Sequence, residues 1–200
     1  MMLLSLFRQK LYFVFLGMVI SGLFLVFLIF AGFYPVAFVN GTMVTARRFA
    51  LEYRANDSYY RRVLEKYGAK VFGSAPPTPA EIEASSMQKI IEDILVQDGA
   101  KREIGSDLGA LIENKVRQLR IDSELQKAAS ELYGYRKNDF WDFVLVPQAK
   151  ADILAGRLFL RGEKLEDWLK DAKKSSTVFI FSNRLRWNGE KVENHSAVRE

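Results

Sequence analysis

The run Leu11–Phe33 contains no charged residue and consists mostly of Leu, Phe, Val and Ile. As one helix it would extend roughly 35 Å, the length that crosses a bilayer core with some tilt. A cleaved signal peptide usually carries an apolar run of about 7–15 residues and a small-x-small cleavage site. Here the run is longer, and bulky Ile29, Phe30 and Phe33 crowd Ala31 and Gly32. The run predicts an uncleaved transmembrane anchor over 11–33, with a removed signal peptide as the alternative. Arg8 and Lys10 lie close to it on the N-terminal side, whereas the first cations beyond it are Arg47 and Arg48. Positive charge close to a span marks its cytoplasmic end. The expectation is a single-pass cell-membrane protein with residues 1–10 in the cytoplasm and the bulk of the chain outside it.

Composition narrows the chemistry. The 200 residues include no cysteine, which excludes disulfides, cysteine nucleophiles and thiolate metal sites. The single histidine, His195, lies close to the C-terminus, so a multi-histidine metal site cannot be built and a Ser-His-Asp triad would rest on a fraying end. A net charge of +5 is mild for this length. It fits closeness to an anionic membrane surface and falls short of a nucleic-acid footprint. Asp139, Asp142, Glu163, Glu166 and Asp167 could pair as acid and base, but their spacing among lysines reads as solvated helix faces. The sequence therefore predicts no enzyme, no cofactor, no metal and no nucleic-acid partner.

Beyond the run, Tyr34-Pro35 breaks the helix, and Val36–Val39 with Thr42–Val44 predicts a hairpin across Asn40-Gly41, the favoured pair for a type I′ turn. Thr45 is a good N-cap for a helix whose apolar face would be Phe49, Tyr53, Tyr60, Leu64 and Tyr67, with Ala55–Ser58 as a potential interruption. Thr78-Pro79-Ala80-Glu81 combines a capping box with proline at the first helical position. The stripe Met87, Ile90, Ile91, Ile94, Leu95 follows at helical spacing. Gly99 and Gly105–Asp107 would end that helix. A further one carries Leu108, Leu111, Ile112, Val116 and Leu119, continuing through Ile121, Leu125 and Leu132. From Asp139 the apolar positions step by three and four to Leu158, marking one long helix that Pro147 must kink. A short helix carries Leu165, Trp168, Leu169 and Ala172. Thr177–Phe181 and Arg184–Trp187 read as a second hairpin, the first strand apolar enough to be covered and to pair with Val36–Val39. Residues 193–200 would form a flexible tail.

VAFVNGTMVTARRF (Val36–Phe49), then the segment Lys89–Ser106, resembles the N-terminal module of SurA-like periplasmic chaperones and membrane-anchored foldases. That family has an apolar, Val-Asn-Gly, apolar, Thr hairpin entering a helix, then an apolar helix ending in Gln-x-x-Ala-x-x-x-Gly-Ile. Gln97, Ala100 and Gly105 sit close to that spacing, with Ile104 before the glycine instead of after it. Tyr133–Trp141 resembles the family's later Gly-hydrophobic-x-x-x-x-Phe helix start, with Arg136 where Ser or Thr often caps. The resemblance spans roughly residues 36–175. It implies a mainly α domain over 36–192, with a small antiparallel β element joining its N- and C-terminal ends. It also implies binding of unfolded or partly folded clients outside the cytoplasm. Family members often carry a parvulin-type prolyl isomerase after this module. The residues left after Ser176 are too few for one, and its two-histidine centre cannot be made from His195 alone.

The resulting expectation is a membrane-anchored, chaperone-like protein without isomerase activity. Phe140, Trp141, Phe143 and Trp168 are its candidate client-binding residues. The alternative is a structural or assembly partner in a membrane complex. Tyr59-Tyr60 beside Arg61-Arg62 reads as core plus a solvated face, with a basic-aromatic binding strip as the second reading.

Overall fold

A computed structural model describes residues 2–194 apart from 73–74, 122–123, 125–126, 128–129, 132 and 136, and side chains from Phe15 onward save 118–121 and 137. Arg8, Lys10, Leu119, Ile121, Leu125, Leu132, Arg136 and the tail from His195 thus lie, in whole or in side chain, outside the described residues.

The first helix, α1, runs Met2–Phe30. It closes three residues before the apolar run ends, where Gly32 takes φ 73° and its N–H donates back to the Ile29 carbonyl. Among the described residues no helix is long and apolar enough to cross a membrane. This corrects the transmembrane helix expected over 11–33, and with it the single-pass cell-membrane localisation built on that helix. Gly32 also lies against the first turn of the next helix: a Cβ there would meet Arg47 backbone nitrogen at 3.2 Å, and its carbonyl accepts from Arg47 N–H at 2.9 Å.

Strands β1 (Pro35–Val39) and β2 (Thr42–Thr45) form the expected hairpin. Asn40 and Gly41 take φ 48° and 81°, the left-handed pair that a type I′ turn needs. Thr45 accepts from Arg48 N–H at 3.2 Å and caps α2 (Ala46–Tyr67). Helix α2 passes through Ala55–Ser58 without a break. Asp57 pairs with Arg61 one turn on, and Asn56 donates to Ser86 Oγ on the next helix at 2.8 Å. Its buried residues are Glu52, Ala55 and Val63, while Leu64 and Tyr67 are exposed. The face turned inward is therefore rotated from the aromatic face expected, because small side chains and an ion pair form the contact.

Helix α3 (Pro79–Ile104) is the central element. The capping box is complete: Glu81 N–H donates to Thr78 Oγ1 at 3.2 Å, and Thr78 N–H donates to Glu81 Oε2 at 2.7 Å. Met87, Ile90, Ile91, Ile94 and Leu95 are all buried, and Gly105 at φ 69° ends the helix. Helix α4 (Leu108–Ile121) follows after one 3-10 turn and packs against the later long helix, tied by Lys115–Asp152 at 3.1 Å. That long helix begins as α5 (Lys137–Phe140), widens to a π-turn over Trp141–Leu145, and continues as α6 (Val146–Phe159). Pro147 is the physical cause: it has no N–H for the Phe143 carbonyl, and Val146 N–H reaches back five residues to Trp141. Helix α7 (Leu165–Ser175) lies across α3 and sets Trp168 against Gly99, where a Cβ would stand 2.5 Å from the indole.

Strand β3 (Val178–Ile180) returns to pair antiparallel with β1, so one sheet has the order β2-β1-β3. The predicted pairing of β1 with this late strand is thus present. The predicted hairpin between it and Arg184–Trp187 is not. Ser182 Oγ accepts from Arg184 N–H and Leu185 N–H and turns the chain away. Instead β4 (Leu185–Trp187) pairs with β5 (Val192–Asn194) across the Asn188-Gly189 turn, carrying ordered chain past residue 192.

Candidate functional site

Besides α1, which exposes Phe15, Met18, Leu23, Phe24, Phe27 and Phe30, the fold positions two clusters of polar and aromatic side chains and an apolar sheet face. The first cluster is centred on Lys89 of α3. Its ammonium reaches Glu52 Oε1 of α2 at 3.1 Å, Asp93 Oδ2 at 3.2 Å and the Phe143 carbonyl at 3.4 Å. The third acceptor is the carbonyl that Pro147 leaves without its helical donor, so three donors of one lysine meet three acceptors. Arg48 adds a fourth charge, 3.7 Å from Asp93. Burial raises the Glu52 and Asp93 carboxyls above their ordinary range, and Lys89 partly offsets this. Nearby, Lys150 of α6 donates to Gln97 at 2.6 Å, and its burial holds its ammonium below the ordinary lysine value. These charges tie α2, α3 and the π-turn together. Glu52 is only 3% exposed, whereas the Lys89 side chain remains 40% exposed at the rim of the cluster.

An aromatic ladder runs beside this cluster. Tyr59 of α2 stacks on Tyr133 at 5.1 Å, Tyr133 on Tyr135 at 6.0 Å, and Tyr135 on Phe143 at 6.5 Å. Tyr60 extends it toward Phe72 at 5.9 Å. Burial raises the Tyr135 hydroxyl well above the ordinary tyrosine value, with Glu52 and Asp93 adding to it. Tyr59 and Tyr60 are therefore half-buried packing groups, while Arg61 and Arg62 beside them face solvent.

The four candidate client-binding residues do not meet at one place. Phe140 is buried in the ladder's cluster and Phe143 packs beside it. Trp141 is half-buried on the same turn. Trp168 belongs to a different cluster, against Gly99, Leu154 and Leu158.

A bare apolar surface beyond α1 lies on the three-stranded sheet. Its inner face is Ala37, Val39 and Val44, each 0% exposed, with Val178 and Ile180 packed on the same core. Its outer face is also apolar. The register puts Met43, Phe38 and Phe179 in one row across the three strands, and Phe181 meets Phe38 edge-on at 5.8 Å. Phe179 and Phe181 are 62% and 60% exposed. The run Val178–Phe181 is thus covered on one side only, where the sequence predicts a covered strand. No local pattern marks this face. What identifies it is the pairing of strands far apart in the chain, Phe38 with Phe179.

Among the described residues no group of three or more His, Cys, Asp or Glu side chains is placed to hold a metal ion. Comparison with protein-family models, with curated proteins and with solved structures finds no match for this chain.

Proposed function

We propose that this chain is a chaperone-like protein that binds unfolded or partly folded polypeptides and catalyses no reaction. The observation that carries the reading is the outer sheet face, where Met43, Phe179 and Phe181 are exposed on either side of a half-buried Phe38 in one apolar row. Folded monomers seldom leave such a patch bare unless it contacts another molecule. Aromatic and methionine side chains suit many partners, because they adapt to varied apolar surfaces without fixed polar geometry. The resemblance of Val36–Phe49 and Lys89–Ser106 to the SurA-like module supports the same reading. The Lys89 cluster ties together α2, α3 and the π-turn of the scaffold that carries this face.

A structural role within an assembly is the second reading, favoured by the same row if one folded partner covers it permanently. Mild crosslinking followed by co-purification separates the two. Many substoichiometric proteins support client binding, and one stoichiometric partner supports assembly. Light scattering of a chemically unfolded protein diluted into buffer tests the first reading directly. Suppression of its aggregation by the full chain is expected, and failure to suppress or bind it would exclude the chaperone reading.

A further inference from the structure

Strand β2 forms the outer edge of the three-stranded sheet, whose order is β2-β1-β3. Its hydrogen-bond phase follows from that of β1. Asn40 N–H donates to the Thr177 carbonyl at 2.9 Å, and Phe181 N–H donates to the Val36 carbonyl at 2.8 Å. In an antiparallel ladder alternate residues turn their main chains to the same neighbour. Val36, Phe38 and Asn40 therefore serve β3. Ala37 and Val39 serve β2, where their partners are Val44 and Thr42. Met43 lies between those partners and turns its N–H and C=O away from β1. Ala46 N–H donates back to the Tyr34 carbonyl at 3.0 Å, so Thr45 N–H points outward as well. Among the described residues no strand pairs with this edge.

The edge is also unguarded. Strands at the rim of a sheet are usually blunted by lysine, proline or an inward-pointing charge. Thr42-Met43-Val44-Thr45 carries none of these. Met43 is 47% exposed and ends the apolar row that crosses the outer face through Phe38 and Phe179. A strand laid beside β2 would set one side chain directly against Met43 and lengthen that row.

We propose that the free edge of β2 takes an extended polypeptide segment as an added strand. The inference rests on the client-binding reading and names its site. Met43 N–H, Met43 C=O and Thr45 N–H form a main-chain donor and acceptor set that another extended main chain complements. The occupant alternates apolar side chains, which meet Met43, with polar ones that point the other way. Main-chain bonds carry no sequence information, so many unfolded segments satisfy the same edge.

The test uses the full chain and a fluorescein-labelled peptide of sequence Lys-Val-Thr-Val-Thr-Val-Thr-Lys, followed by anisotropy and by amide hydrogen exchange. Saturable binding is expected, with exchange at Met43 and Thr45 slowed about tenfold, while Thr42 and Val44, already bonded to β1, change little. Two further peptides carry N-methyl groups on the valines or on the threonines, which keeps the side chains and removes donors in one phase only. One of the two should bind about tenfold more weakly than the other: the valine set if the strand adds antiparallel, the threonine set if it adds parallel. Met43→Pro and Met43→Ala both remove the thioether, but only Met43→Pro removes the outward N–H, which β1 does not use. Met43→Pro should bind the unmethylated peptide about tenfold more weakly than Met43→Ala, at a similar melting temperature. Where Met43→Pro fails to fold, the methylated pair decides. Equal affinity for both methylated peptides would overturn strand addition, even if unfolded protein still binds the apolar row. Protection of the Met43 amide without peptide, in a chain that sediments as a dimer, would overturn it in favour of a second copy as occupant. Loss of all unfolded-chain binding would instead remove the client-binding reading itself.

Discussion

The two faces of the β2-β1-β3 sheet are built from the same three strands and are both apolar, yet they have opposite fates. Ala37, Val39 and Val44 are sealed against Ile90, Ile91 and Ile94 of α3, whereas Met43, Phe179 and Phe181 are exposed around a half-buried Phe38. An antiparallel sheet with one wet side normally alternates apolar and polar residues. This one does not alternate, so its outer face departs from the pattern that solubility alone would select. The inner face accounts for the fold, and the outer face is what the fold leaves available.

Substitutions on the two faces should separate cleanly, and together with two in the scaffold they order by size. Ile90→Ala, directly beneath the inner face, leaves a cavity in fully enclosed packing and should cost about 4 kcal/mol in chemical denaturation. Lys89→Met removes the cation from buried Glu52 and half-buried Asp93 and should cost about 3 kcal/mol at pH 7. That deficit depends on pH. Burial raises Glu52 and Asp93 above 4.5 and 3.8, so between those values and the raised ones the native state holds more protons than the unfolded chain. Stability from these groups is present at low pH and is lost as pH rises through the raised values. Without Lys89 the values rise further, so the variant should lose more stability than the parent as pH rises from 4.5 toward neutrality. A pH-independent deficit in urea titrations would show that the cluster is not held by charge.

Gly99→Ala should cost about 2 kcal/mol, since the new methyl must displace the Trp168 indole from a close-packed site. The smallest stability effect is expected on the outer face. Phe179→Ser should change the unfolding free energy by no more than about 0.5 kcal/mol while weakening the binding of unfolded protein several-fold. A large loss of stability from Phe179→Ser would erase the distinction between the two faces.

Local chemistry made much of this fold readable before any coordinates. The Asn40-Gly41 turn, the Thr45 and Thr78 caps and the stripe Met87–Leu95 depend on residues within one or two turns of each other, and all are present. The β1–β3 pairing was also legible, because two short apolar strands each needed a partner. The features that depend on distant contacts were not. Glu52 is a buried carboxylate of α2 because Lys89, 37 positions later, lies opposite it. The π-turn follows from Pro147, but the use of the freed Phe143 carbonyl by Lys89 spans 54 positions. Thr177–Phe181 and Arg184–Trp187 have hairpin spacing, and a single serine hydroxyl redirects the chain between them. For the candidate site, Phe140, Trp141, Phe143 and Trp168 stood out by size and hydrophobicity. Those properties do not distinguish a side chain that fills the core from one that faces solvent.

The most direct test of the account compares the full chain with a Phe179→Ser, Phe181→Ser variant in suppressing aggregation of a chemically unfolded protein, with thermal unfolding measured on both. The parent should suppress aggregation at near-stoichiometric ratio, and the variant should lose most of that effect at an unchanged melting temperature. Equal suppression by both, or none by the parent, would contradict the assignment of the outer sheet face as a client-binding surface.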